Sequence, residues 1–368
     1  LPLLSCLLIL YIHIPFCHRI CPYCSFYKHT PGDTDKRAFI QAILKEARAA
    51  ADSGQLTHIS TLYLGGGTPS MLSPSHLTEL FEGLRSSLSL ENTHITLEAN
   101  PATFGHAKAT LFLDLGVNRV SLGIQSFSAH VLETLGREHN PEQAAEAVHT
   151  LRASGMEEIN IDLMFSVPGQ SVSDWSHSLD TAISLEPEHI SAYNLTYEED
   201  TPFFDKLRHH EDENTNAEMF ALAHQKLTSA GLQHYETSNY ARPGKHSQHN
   251  LSYWRGHDYL GLGPSAVSTI DGNRWKNLPD TARYIQAINT LGHAKSEHEI
   301  IDANAYRIER IALLLRTTKG LPDEYISDSP DGSVEQLIAN KLAVIEDKHL
   351  RLINNGPMLV DAIAAQLI

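Results

Sequence analysis

Cys17, Cys21 and Cys24 place three thiols within eight residues, in the spacing C-x3-C-x2-C. Thiols at this density bind metal. A structural zinc site or an electron-transfer iron–sulfur cluster ordinarily takes four protein ligands. Here no fourth cysteine follows nearby, and Cys6, the only other one, lies eleven residues upstream in an apolar run. A cubane cluster on three thiolates leaves one iron open to a small molecule, so the triad points to chemistry at that iron. The competing reading is a zinc knuckle completed by His13, His18 or His29. Arg19 and Lys28 flank the cysteines and no Asp or Glu precedes Asp33, which makes this loop locally cationic and suited to an anionic thiolate cluster.

Other groups recur after short apolar runs. Gly65-Gly66-Gly67-Thr68-Pro69-Ser70 lets backbone N–H groups approach a ligand closely. It is not a P-loop, because no G-x-x-x-x-G-K-[ST] pattern is present. Glu98 and Asp162 are carboxylates suited to an ammonium or a sugar hydroxyl. Gln125 offers an amide, and Arg137 a planar fork that matches a carboxylate.

These groups need elements to position them. Apolar, β-rich runs occur at 7–14, 59–64, 95–98, 119–123, 158–163 and 189–195. Between them, 34–51, 74–88, 108–115, 141–153, 171–185 and 215–230 carry apolar residues at helical spacing. Ser73 before Pro74 and Asn140 before Pro141 read as helix caps. Strand alternating with helix demands parallel strands. Six units predict an α/β fold built as a partial (β/α)6 TIM-like barrel, and periodicity alone leaves a flat doubly wound sheet open. The chemistry favours the barrel, where reactive groups gather at the C-terminal strand ends. Each strand here ends in such a group: the cysteines, the glycine run, Glu98, Gln125, Asp162, and Tyr193-Asn194.

The chain has 368 residues, 28 Lys plus Arg against 44 Asp plus Glu, and a formal charge of −16, a poor basis for nucleic-acid binding. Four cysteines, three of them crowded together, indicate a reducing compartment rather than a disulfide framework. The apolar start lacks the basic leading region of a signal peptide, and the five residues before Cys6 leave no room for a lipoprotein signal. No transmembrane segment is expected, so the protein is expected in the cytoplasm, where peripheral membrane contact remains compatible and a monomer or a dimer stays open.

In the second half, His249-Asn250-Leu251-Ser252-Tyr253-Trp254 follows a turn-rich stretch, which predicts an accessible loop for His249. Imidazole and phenolate are competent metal ligands, so His249 and Tyr253 are candidates for holding a metal. His246 and His249 make a weak metal pair, Trp254 fits a packing role, and His209–His210 reads as solvated. From about Pro279 the rhythm changes. Helices are expected over 303–316 and 334–345, then a strand at 350–354 and a last helix over 358–367, a small winged-helix-like module covering the open side of the barrel.

The cysteine spacing, with the aromatic Tyr23 before the third thiol, resembles the cluster loop of the radical S-adenosylmethionine (SAM) superfamily. Tyr11 to Cys17, Gly65 to Ser70, Ser121 to Phe127, Leu135 to His139, Asn160 to Leu163 and Gly261 to Ala266 resemble one subgroup of it. That subgroup holds the oxygen-independent coproporphyrinogen III oxidases (HemN) and the HemW haem chaperones, and the likeness runs from Tyr11 to about Leu367. It implies a 4Fe–4S cluster on Cys17, Cys21 and Cys24. It also implies SAM sites at Tyr11, Tyr23, Gly66, Gly67, Thr68, Glu98, Gln125, Arg137 and Asp162. The oxidase pattern has a further Cys where this chain has Phe26, and a longer segment before the cluster. Both departures, with the H-N-x-x-Y-W motif, favour the HemW branch. The resemblance then implies haem as cargo, bound through His249 and Tyr253, and haem-accepting proteins, respiratory ones among them, as partners. The alternative is SAM-dependent oxidative decarboxylation of coproporphyrinogen III. The organisation expected is a barrel over 1–240, an extension carrying the motif over 241–278, and an accessory domain over 279–368.

Overall fold

The computed structural model describes residues 8–54, 56, 59–207 and 213–368; Cys6 and the His209–His210 pair lie outside them. Strands β1 (Leu8–Ile14), β2 (Ile59–Gly66), β3 (His94–Ala99), β4 (Arg119–Gln125), β5 (Glu158–Phe165) and β6 (His189–Asn194) lie side by side in chain order and all pair parallel. Each begins and ends within a few residues of its sequence expectation. Alternation along the strands divides their side chains. Leu10, Ile12, Leu62, Leu64, Leu97, Leu122 and Ile161 join the buried apolar core, while Tyr11, His13, Tyr63, Glu98, Ser121 and Asp162 share the opposite parity and build a polar interior.

The crossovers are α1 (Lys36–Asp52), α2 (Pro74–Ser87), α3 (His106–Asp114), the short α4 (Ala129–Thr134) with α5 (Pro141–Ser154), and α6 (Val172–Ser184). Their starts are written in side-chain caps. Asp35 accepts from the N–H groups of Arg37 and Ala38, and Ser73 accepts from His76 ahead of Pro74. Asn140 and Gln143 form a reciprocal capping box, as do Ser171 and Asp174. The six-residue α4 is too short for periodicity to reveal.

Beyond β6, α7 (Pro202–Leu207) and α8 (Glu213–Ser229) lead to β7 (Gln233–Glu236) and β8 (Asn239–Ala241), which add antiparallel strands to that edge. The chain then crosses by α9 (Gln248–Trp254) to β9 (Tyr259–Leu262), which pairs parallel with β1. β10 (Val267–Ile270), β11 (Asn273–Asn277) and, after α10 (Thr281–Leu291), β12 (Lys295–Ile300) complete the other edge. Among the described residues this is one open twelve-stranded sheet, ordered β12-β11-β10-β9-β1-β2-β3-β4-β5-β6-β8-β7. The expected boundary at 279 therefore falls between two paired strands, and the sheet runs on to Ile300. Every residue of β12 is exposed, so it carries no one-sided apolar pattern to announce a strand.

A second core begins after it. α11 (Ala303–Leu314), α12 (Ser333–Ala339) and α13 (Val360–Leu367) pack Ile311, Leu337, Ile363 and Leu367 against Leu350. A three-stranded sheet, β13 (Leu321–Pro322), β15 (His349–Leu352) and β14 (Ala343–Glu346) in that order, completes the module. The helix expected over 334–345 stops at Ala339 because Lys341 turns at φ +57° and Ala343 enters a strand. The module docks on β7, where the N–H groups of Thr237 and Thr318 donate to Arg316 (2.8 Å) and Tyr235 (3.2 Å) carbonyls. No described helix is long and apolar enough to cross a membrane.

Candidate cofactor-binding site

The cysteine loop leaves β1 at its C-terminal end, at the rim of the polar interior. Its neck is closed by the backbone: Cys17 N–H donates to the His29 carbonyl (3.0 Å) and His29 N–H to the Pro15 carbonyl (2.9 Å). From below, His13 Nε2–H donates to the Tyr27 carbonyl (2.7 Å), which leaves Nδ1 to accept from Tyr11 (3.0 Å). Burial lowers the His13 pKa to about 4, so this imidazole is neutral. Lys28 donates to the Cys24 carbonyl.

The triple glycine is explained by packing as much as by ligand access. A Cβ on Gly67 would sit 2.7 Å from the Phe16 carbonyl oxygen, and one on Gly66, at φ +107°, would sit 2.5 Å from the His13 ring. Gly67 N–H donates to the Ile14 carbonyl at 2.7 Å. The glycines thus let β2 end flush against the root of the cysteine loop.

Cys17, Cys21 and Cys24 are free, half-buried, and line one cavity of about 430 Å³. Arg137 reaches them from the turn after α4, its Nη1 3.6 Å from the Cys21 sulfur and its Nη2 2.6 Å from the Gly123 carbonyl. The Arg137 Nε is buried without a partner. Burial raises the Cys17 thiol to about 11, so without metal it is protonated at neutral pH. Three thiols around one cavity, beside a guanidinium, fit an anionic thiolate-bound cluster. They fit a zinc knuckle poorly, because both ring nitrogens of His13 and of His29 are already engaged. His18 points to Glu138 at 3.2 Å. Among the described residues no three His, Cys, Asp or Glu side chains gather as one metal ion would require, whereas a cubane spreads its ligands over separate irons.

The cavity wall joins eight of the nine positions named for SAM: Tyr23, Gly66, Gly67, Thr68, Glu98, Gln125, Arg137 and Asp162. Tyr11 does not line it; its ring lies deeper, stacked on Tyr63 at 6.3 Å. Glu98 accepts from Tyr63 Oη (2.9 Å) and from Gly66 N–H (3.1 Å), and burial pushes its carboxyl up to about 7. Asp162 is held by Ser121 (3.0 Å) and Asn160 (2.7 Å), and burial raises it too. Gln125 stands at φ +71° where the β4–β5 register slips, a bulge that re-aims its side chain. Tyr193 and Asn194, read as a strand-end group, line the cavity as well, and so do Tyr63 and Ser121, which were not singled out from sequence. The signal for Tyr63 was present, since Thr61, Tyr63 and Gly65 share one face of β2.

The H-N-x-x-Y-W segment is elsewhere. Instead of an accessible loop it forms α9, started by the Ser247 hydroxyl accepting from Asn250 N–H (3.3 Å). His249 is 2% exposed, with Nδ1 bonded to Thr61 (2.7 Å), its ring stacked on Tyr63 (4.9 Å) and its Nε2 without a partner. Tyr253 sets its ring edge-on against His249 at 5.1 Å. Both close the floor of the barrel beneath the cavity, because an imidazole and a phenol fill that interior better than solvent. His246 is left on the other side of the helix, against Tyr235, and Trp254 packs beside Leu251. Phe26 is exposed at the cavity mouth.

Residues 11–182 match the radical SAM superfamily. Over its length the chain is similar to the haem chaperone HemW of Bacillus subtilis, 33% identical over 348 residues that cover 92% of this chain and 91% of that protein. It is 35% identical to HemW of Mycobacterium tuberculosis, covering 97% of this chain and 94% of that one. With HemW of Escherichia coli it shares 41% identity over 71% of this chain and 70% of the other. Among solved structures it is similar to coproporphyrinogen III oxidase (HemN) from Escherichia coli, a radical SAM enzyme, with a TM-score of 0.82 over 98% of this chain and 90% of that one. At 22% identity that likeness is one of fold.

Proposed function

We propose that this chain, which belongs to the radical SAM superfamily and within it to the HemW family, binds haem and passes it to acceptor proteins from a scaffold that holds a 4Fe–4S cluster and SAM. Superfamily membership implies cluster and SAM binding in general. The residue assignments are our reading of the cavity. Cys17, Cys21 and Cys24 would hold the cluster, which when bound supplies an open iron and an electron to SAM. Arg137 would balance the negative charge of the thiolates. Glu98 and Asp162 would hold an ammonium or ribose hydroxyls, and the strained Gln125 would hold the purine or the carboxylate.

The observation that supports haem carriage is the similarity to haem chaperones over more than nine-tenths of the chain, against a likeness of fold alone to the oxidase. His249 and Tyr253 enter this reading as iron ligands only if α9 lifts from the barrel floor, which would free the unpartnered Nε2 of His249. The test is anaerobic reconstitution with iron and sulfide, followed by separate assays of haem binding and coproporphyrinogen III consumption. Stoichiometric haem binding without consumption is expected. Sustained decarboxylation with SAM cleavage would replace this reading with the oxidase one.

A further inference from the structure

Helix α9 has two working faces. His249 and Tyr253, four residues apart, turn into the barrel floor. Leu251 lies on the opposite side, and with Arg255 just past the helix end it borders a second cavity of about 250 Å³. This cleft lies between α9 and the C-terminal module, whose Lys319 and His349 form the facing wall. Its lining contains two cationic side chains, two imidazoles and no acid, in a chain with 44 acids and a net charge of −16. Random surface from such a composition would present carboxylates.

Charge pairing sharpens the point. Arg152, Arg274 and Arg316 each hold a carboxylate within 4 Å. Arg255 and Lys319 enter no salt bridge among the described residues. Two uncompensated cations on facing walls select an anion. One side of the cleft is flat, because the His246 and Tyr235 rings stack at 4.3 Å and 15°. On the other side His349 donates Nδ1–H to the Asp347 carbonyl (2.8 Å), which leaves the lone pair on Nε2, the arrangement that orients an imidazole as a metal ligand.

Resting on the haem-carrier reading, we propose that this cleft receives the carboxylate-bearing edge of an iron tetrapyrrole. Arg255 and Lys319 take the carboxylates, the His246 ring, backed by the buried Tyr235, takes the face of the tetrapyrrole, and His349 reaches the metal. The volume lies below the about 300–1,000 Å³ of sites that enclose a small ligand, so an edge is gripped and the remainder stays open to a receiving protein. A carrier that must release its cargo needs such partial enclosure. In this arrangement the cargo first meets the outer face of α9 while His249 is still seated on Tyr63, so the motif helix links the cleft to the cofactor chamber.

The experiment titrates the reconstituted full chain with haem and with haem dimethyl ester, whose carboxylates are blocked. The double variant Arg255→Gln/Lys319→Gln should weaken haem binding at least tenfold and leave the ester unchanged. Cluster content and SAM binding should match wild type, which shows that the variant is folded. His349→Ala should alter the haem absorption spectrum yet bind metal-free porphyrin as wild type does. Equal haem affinity in the double variant and wild type would overturn the cleft assignment while leaving haem carriage intact. A wild-type protein that binds no haem would overturn the functional reading and this inference with it.

Discussion

Tyr27 and Thr281, 254 positions apart, close a ring of hydrogen bonds that ties the cysteine loop to the first residue of α10. Thr281 N–H donates to Tyr27 Oη (2.8 Å), Tyr27 Oη–H donates to the Thr281 hydroxyl (3.2 Å), and that hydroxyl donates to His29 Nε2 (2.8 Å). His29 Nδ1–H is committed to the Thr30 carbonyl, which fixes the direction of the whole set. The segment following the strand-rich extension therefore positions the loop that carries the thiols.

Thr281→Val removes the hydroxyl from two half-buried partners, Tyr27 Oη–H and His29 Nε2, a cost of about 1 kcal/mol. The reconstituted variant should lose its cluster to chelator faster than wild type, and Thr281→Ser should restore the wild-type rate. Equal cluster lifetimes in all three proteins would remove Thr281 from this role.

Replacing Cys17, Cys21 or Cys24 by Ala leaves two thiolates, too few to hold a cubane, so each variant should show no cluster signal after reconstitution. Cys6→Ala should reconstitute as wild type does. Iron and sulfide content, with electron paramagnetic resonance of the reduced protein, separates the outcomes.

Gly66→Val places a branched side chain where a Cβ alone would lie 2.5 Å from His13, at a φ of +107°. Because His13 carries the Tyr27 carbonyl, the strain reaches the cluster loop. Cluster yield and SAM affinity should fall together, with a stability loss of about 1–3 kcal/mol. SAM affinity falling alone, with a normal cluster and stability, would show that the glycine serves only ligand access.

Glu98 should report on pH. Burial lifts its carboxyl from the usual 4.5 to about 7, so the folded chain holds a proton there that the unfolded chain has lost. Its ionisation therefore opposes folding progressively between about pH 4.5 and 7, reaching about 3 kcal/mol above that range. Relative to wild type, metal-free Glu98→Gln should be equally stable near pH 4.5 and more stable at pH 8, while its SAM affinity drops about tenfold or more. A stability difference that does not change with pH would contradict the assigned shift.

Much of this was legible in the sequence because the barrel repeats one rule six times: an apolar run, a polar group at its end, and a capped helix. The cysteine loop, the glycine run, Glu98, Gln125 and Asp162 follow from that rule, and the structure gathers them on one cavity. Tyr11 departs from it because strand parity turns its ring inward but one layer too deep. His249 was misplaced for a different reason. Polar, turn-rich flanks say that backbone is near the surface, yet they say nothing of where a single imidazole is pointed. Thr61 and Tyr63, nearly two hundred residues away in sequence, decide that. β12 and Thr281 were equally silent, since an exposed edge strand and a long-range hydroxyl leave no periodic trace.

The central claim is that the chain carries haem rather than consuming a porphyrinogen. The direct measurement is transfer: anaerobically reconstituted, haem-loaded protein is mixed with a haem-free acceptor protein, with and without SAM, while coproporphyrinogen III is followed in parallel. The account predicts that haem moves to the acceptor and that coproporphyrinogen III is unchanged. Sustained formation of decarboxylated porphyrinogen with two SAM cleaved per product, and no haem bound or delivered, would contradict it.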